Sequence, residues 1–78
     1  MKKYVYTYII NNNKYYWYNT NQSGDVLTSD SSRAKVVSEK EINILDLDNS
    51  FNVGDSIYVE DMNDYITLES SLTKVRIY

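Results

Sequence analysis

Two Ser-x-x-Lys tetrads, Ser32-Arg33-Ala34-Lys35 and Ser71-Leu72-Thr73-Lys74, have the spacing of a catalytic nucleophile and its base. In acyl-enzymes built on that pair, companion motifs complete the site, and none of them occurs in these 78 residues. Asp46-x-Asp48-x-Ser50 opens like a calcium loop. Position six is then Phe51 where the turn needs Gly, and position twelve is Ile57 where the ion needs Glu. Glu60 and Asp61 are neighbours, so on a strand they point to opposite faces and do not share an ion. Gly24 and Gly54 are too few for a phosphate loop. The absence of His removes the commonest general base and metal ligand, and the absence of Cys removes disulfides and thiolate sites. Asn21-Gln22-Ser23 is a glycosylation sequon that matters only after secretion. The chemistry on offer is therefore binding without catalysis, and no cofactor or metal is expected.

Two groups of residues could carry that binding. The first is aromatic: Tyr6, Tyr8, Tyr16, Trp17 and Tyr18. Tyrosine combines a large contact area with low side-chain entropy and a polar tip, which suits interfaces. Residues 15–18 read Tyr-Tyr-Trp-Tyr, and four consecutive rings cannot all face one core. The second is acidic: Asp46, Asp48, Asp55, Glu60, Asp61 and Asp64. Residues 1–40 hold six cations against three carboxylates, whereas residues 41–78 hold two against eight. An acidic surface steers a basic partner. The plainer reading is that the rings fill a core and the carboxylates keep the surface solvated. The formal charge of −3 argues against coating nucleic acid. Base stacking on the aromatic face remains the alternative, with Lys3, Lys14, Arg33 and Lys35 as the nearby cations.

Strands must position these groups. Residues 4–18 are nearly all β-branched or aromatic and read as two strands joined at Asn11-Asn12-Asn13. A two-residue loop at Asn12-Asn13 pairs Tyr8 with Trp17, and a three-residue loop pairs Tyr8 with Tyr16. Further strands are expected at 26–28, 34–37, 56–60, 65–68 and 73–78. The last alternates Lys74 and Arg76 with Val75 and Ile77, which guards an edge against aggregation. Residues 39–47 are ambiguous. Ser38 with Glu41 is a capping box for a helix that places Ile42 and Leu45 on one face, yet residues 41–47 also alternate as a strand.

A shift of 39 residues lays 25–36 over 64–75, with Ser-Ser-x-x-Lys-Val common to both. That match favours the strand at 41–47 and two four-strand pseudo-repeats, about 3–37 and 41–78. The expected fold is one domain, all-β or β-rich with one short helix, arranged as a small antiparallel sandwich or barrel. No apolar run reaches the roughly 18 residues of a membrane span. Lys2 and Lys3 are followed by alternation instead of a signal-peptide core, so a cytoplasmic location is expected.

Val53-Gly54-Asp55-Ser56-Ile57-Tyr58-Val59 resembles the turn that enters strands of SH3-like small barrels. Asn, Tyr, Ile and Lys make up two-fifths of the chain, a bias of AT-rich coding DNA. With no Pro, Cys or His, the whole chain resembles the small accessory proteins of phages and prophages of low-GC bacteria. The resemblance implies an inhibitor of a host defence complex, of the anti-CRISPR kind, whose partner is a host nuclease or nucleic-acid-binding complex. A nucleotide or single-strand binder and a minor virion component are the other roles it implies. Such chains also form dimers.

Overall fold

Asn11 and Asn12 both adopt positive φ, 50° and 68°. Two successive left-handed residues make the tight turn whose twist matches paired strands, and Asn tolerates that conformation better than most residues. The computed structural model describes residues 1–20, 22 and 24–78. Asn21 and Ser23, and with them the sequon, lie outside the described residues. The asparagine turn joins β1 (Lys3–Ile10) to β2 (Asn13–Thr20) and sets Tyr8 opposite Tyr15 and Ile10 opposite Asn13. The loop is two residues long but begins one position earlier than Asn12-Asn13. Both expected registers, Tyr8 with Trp17 and Tyr8 with Tyr16, are thereby corrected.

Strand β2 pairs antiparallel with β3 (Gly24–Thr28), placing Trp17 opposite Leu27. The chain then crosses over. It passes through a 3₁₀ turn at Ser31–Arg33, a short β4 (Val37–Ser38) and helix α1 (Glu39–Leu45) before returning as β5 (Ser56–Val59). This crossover lets β5 pair in parallel with β3, since parallel neighbours need a long connection. The hairpin of β5 with β6 (Asp64–Thr67) turns at Asn63, and β7 (Thr73–Arg76) returns to pair with β1. Among the described residues the result is a β-rich fold with one short helix and a single mixed sheet of seven strands. The wholly antiparallel arrangement gives way at the β3–β5 pair, and among the described residues no second sheet stacks on the first.

Residues 39–47 form no strand. Ser38 caps α1: its hydroxyl accepts from Glu41 N–H at 3.2 Å while Ser38 N–H donates to the Glu41 carboxylate at 3.3 Å. Asp46 ends the helix in the left-handed region at φ 53°. The two-copy layout therefore fails, because the counterpart of β1 in the second copy is a helix. Its buried residue is Ile42, whereas Leu45 faces solvent and Leu47, beyond the break, turns into the core.

Register decides which rings go inside. Tyr6, Tyr8, Tyr15 and Trp17 share the inner face with Leu27, Ile57 and Val59. Phe51, brought by the crossover, lies 5.6 Å from Trp17 and 6.0 Å from Tyr6, ring centre to ring centre. Tyr6 and Trp17 meet edge to face at 6.1 Å. Such pairs add about 0.5–1.5 kcal/mol each beyond the area they bury.

The sheet curls. β4 and β2 share one edge of β1, and β7 takes the other. Six strands then lie side by side from β7 to β6, about 24 Å if flat. Residues 68–72 link those two ends, and both Leu68 and Leu72 are in the core, so the ends bend toward one another. β6 and β7 do not pair, and the barrel stays unclosed. Phe51→Ala is expected to lower stability by about 3–5 kcal/mol in urea unfolding, because it removes the ring shared by sheet and crossover. A loss under about 1 kcal/mol would show that the crossover is not held by this contact.

Candidate binding face

Alternation along the strands leaves an outer face opposite the core. Across four strands one rank lines up: Tyr18 opposite Val26, Val26 opposite Tyr58, and Tyr58 opposite Tyr65. Val26 is buried beneath its neighbours, Tyr18 and Tyr58 are half-buried, and Tyr65 is 63 % exposed. Tyr58 and Tyr65 meet edge to face at 5.3 Å, and the Tyr58 hydroxyl donates to the Asn63 side chain. A second rank, Thr7–Tyr16–Thr28, runs alongside. The aromatic residues singled out from sequence thus divide between two faces. Tyr16 and Tyr18 are on the outer one. Tyr6, Tyr8 and Trp17 are core residues, because the pleat sends them inward. Tyr58 and Tyr65 complete the outer rank and escaped the sequence reading. Their signal was present: a turn at Met62-Asn63-Asp64 sets these two tyrosines opposite each other.

The Tyr18 end of the rank is closed by a charge pair. Arg33 Nη1 lies 2.5 Å from Glu60 Oε1, and Arg33 Nη2 donates to the Tyr18 hydroxyl at 2.8 Å. The guanidinium sits 4.7 Å from the Tyr18 ring centre. The Tyr18 hydroxyl in turn donates to Glu60 at 3.1 Å. Arg33 pulls the Glu60 carboxyl below its ordinary range, and burial beside Glu60 raises the Tyr18 phenol. The Tyr65 end has no such cover.

The six carboxylates of the expected acidic surface each accept from a donor of the chain itself. Asp48 accepts from Tyr6 at 2.8 Å and from Lys74 at 3.2 Å, which ties the crossover to β1 and β7. Asp61 accepts from the Ser29 N–H at 3.0 Å and from its hydroxyl. Asp46 takes Asn49, Asp55 takes the Asn52 N–H, and Asp64 takes the Tyr65 N–H. They sit on the crossover, the turn into β5 and the β5–β6 hairpin, three segments instead of one run. Asp46, Asp55 and Asp64 satisfy local turns, whereas Asp48, Glu60 and Asp61 tie together segments 32 to 42 residues apart.

A cleft of about 350 Å³ opens on the inner side, lined by Trp17, Asn19, Asp25, Lys35, Leu47 and Phe51 among others. Asp25 accepts there from Trp17 Nε1 and Asn19 Nδ2, both at 2.9 Å. Among the described residues no three carboxylates converge as a metal site, and no helix is long and apolar enough to cross a membrane. Neither Ser-x-x-Lys pair is set up as nucleophile and base: the Ser32 hydroxyl donates to Asp30, and Lys74 is paired with Asp48. Comparison with family models, with curated proteins and with solved structures gave no match.

These contacts have a pH signature. Burial, and then the bond to Asp48, raises the Tyr6 phenol well above its ordinary value. Tyr4 is raised by its bond to Glu39. A raised folded value stabilises the protein below the unfolded value of about 10 and is lost as pH climbs above it. Asp30, Asp48, Glu60 and Asp61 are all held low, by Ser32, Tyr6, Arg33 and Ser29 in turn. Their contribution is present above about pH 4 and is lost as pH falls through their depressed folded values. Urea midpoints are therefore expected to fall at both extremes. Tyr6→Phe should flatten the alkaline arm, and an unchanged alkaline slope in that variant would show that the Tyr6–Asp48 bond does not contribute.

Proposed function

We propose that this chain is a non-catalytic protein that acts by contact with another protein through its outer tyrosine rank. The observation that carries the reading is the line Tyr18–Val26–Tyr58–Tyr65 across four paired strands, whose Tyr65 end lies 63 % exposed. Tyrosines on strands lose little entropy on binding and are common interface hot spots. The resemblance to phage accessory proteins supplies the class of partner: a nuclease or nucleic-acid-binding complex of a bacterial host, inhibited stoichiometrically. Base stacking on the same rank is the second reading, since the exposed Tyr65 ring offers a face to a base. It is the weaker one, because the cation beside the rank, Arg33, is already paired with Glu60.

The test compares wild type with a Tyr58→Ser/Tyr65→Ser double variant in affinity capture from extract of a low-GC host. Wild type should retain one nuclease or nucleic-acid-binding complex. The double variant, folded by circular dichroism, should lose about 2 kcal/mol or more of that affinity. Equal retention by both proteins would overturn the reading. Tyrosine ring signals that shift with single-stranded oligonucleotide, and not with the captured protein, would replace it with the second.

A further inference from the structure

The unclosed barrel leaves a seam. On one side is the end of β1 beyond its pairing with β7, which stops at Thr7 opposite Thr73. On the other is β6, which among the described residues pairs with β5 alone. Between them runs a slot of about 250 Å³ lined by Tyr8, Ile9, Ile10, Ile66, Thr67 and Glu69. The Tyr8 hydroxyl, accepting from the Glu69 N–H at 2.8 Å, pins the floor of one end.

Main-chain groups on both walls lack strand partners. Successive residues of an antiparallel strand direct their N–H and C=O to alternate edges. Leu68 makes both of its bonds toward the β5 side, its N–H to Asp55 at 2.8 Å and its C=O from Gly54 N–H at 2.9 Å. Ile66 therefore points the same way, and Thr67 and Tyr65 point into the seam. The Tyr65 N–H is taken by Asp64, which leaves Thr67 as the unblunted position of β6. Across the slot, Ile10 and Asn13 close the asparagine turn as a bonded pair, so Ile9 turns its N–H and C=O outward. Ile9 is 56 % exposed, and Glu69 makes no ion pair among the described residues.

We propose that this seam accepts one extended strand from a partner protein, bonded to Thr67 and Ile9, with β-branched side chains and a Lys or Arg beside Glu69. Unpaired edges are templates for strand addition, with main-chain bonds giving affinity and alternate side chains giving selectivity. Apolar walls of Ile10 and Ile66 suit β-branched residues, and the Glu69 carboxylate suits a cation. The inference rests on the reading of the chain as a protein-binding module, but it uses main-chain groups at the seam and not the outer rings.

The probe is the heptapeptide acetyl-Lys-Val-Thr-Val-Thr-Val-Lys-amide, titrated into the isotope-labelled full chain and followed by amide NMR. The Ile9 and Thr67 amide signals are expected to shift and to exchange with solvent about tenfold more slowly when the peptide is bound. N-methylation of the three valines keeps the side chains and removes main-chain donors, and should weaken binding about tenfold or more. Glu69→Lys should weaken the Lys-ended peptide and favour the same peptide with Glu at both ends. Tyr58→Ser should leave peptide binding unchanged, which separates the seam from the outer face. Unmoved Ile9 and Thr67 signals at about millimolar peptide, or equal binding of the N-methylated peptide, would overturn the proposal.

Discussion

The position of one two-residue turn determines where every ring of the first hairpin goes. With Asn11 and Asn12 in the left-handed region, Tyr8 meets Tyr15 and Tyr16 meets Thr7. The pleat then sends Tyr6, Tyr8, Tyr15 and Trp17 to one side and Tyr16 and Tyr18 to the other. A slip of one residue would exchange the two sets on one strand and place Tyr15 and Trp17 in solvent. Burying large aromatic side chains stabilises by about 1.5–3 kcal/mol each, so the register is held by the core it creates. The outer tyrosines are the complement of that core, present because the hairpin is aromatic on both faces.

The crossover works on the same core from the other side. It supplies Phe51 to the Tyr6–Trp17 pair, Ile42 and Leu47 to the apolar interior, and Asp48 to the Tyr6 hydroxyl. It also makes the β3–β5 pairing parallel, which sets β6 at the far end of the sheet. The five residues from Leu68 to Leu72 then draw the ends together without joining them. The curl and the seam follow from a short link between distant strands. A chain with a longer link would have no need to bend.

Much of this was legible in the residues. Alternation marks β1, β2 and β7, and the Ser38–Glu41 capping box is the signal of the helix that the repeat outweighs. Sequence similarity at a shift of 39 residues carries no information about backbone conformation, whereas a capping box does, and the structure follows the capping box. The turn was misplaced by one residue because three successive asparagines offer equivalent local chemistry, and only packing chooses among them. The carboxylates are on the surface, as their charge suggests, but three of the six have donors remote in sequence: Tyr6 is 42 residues from Asp48, Tyr18 is 42 from Glu60, and Ser29 is 32 from Asp61. Charge counting does not register such partners. The Tyr58–Tyr65 pair was within reach, since both flank a recognisable turn.

Register sorts the tyrosines into a buried set and an outer set, and the proposed function makes the outer set the contact surface. Hydroxyl-radical footprinting with mass spectrometry, on the free protein and on its complex with the captured host protein, measures this residue by residue. Tyr6, Tyr8 and Tyr15 are expected to stay unmodified in both, while Tyr65 is expected to be modified when free and protected when bound. Modification of Tyr6 or Tyr15 in the free protein, or equal modification of Tyr65 in both states, would contradict it.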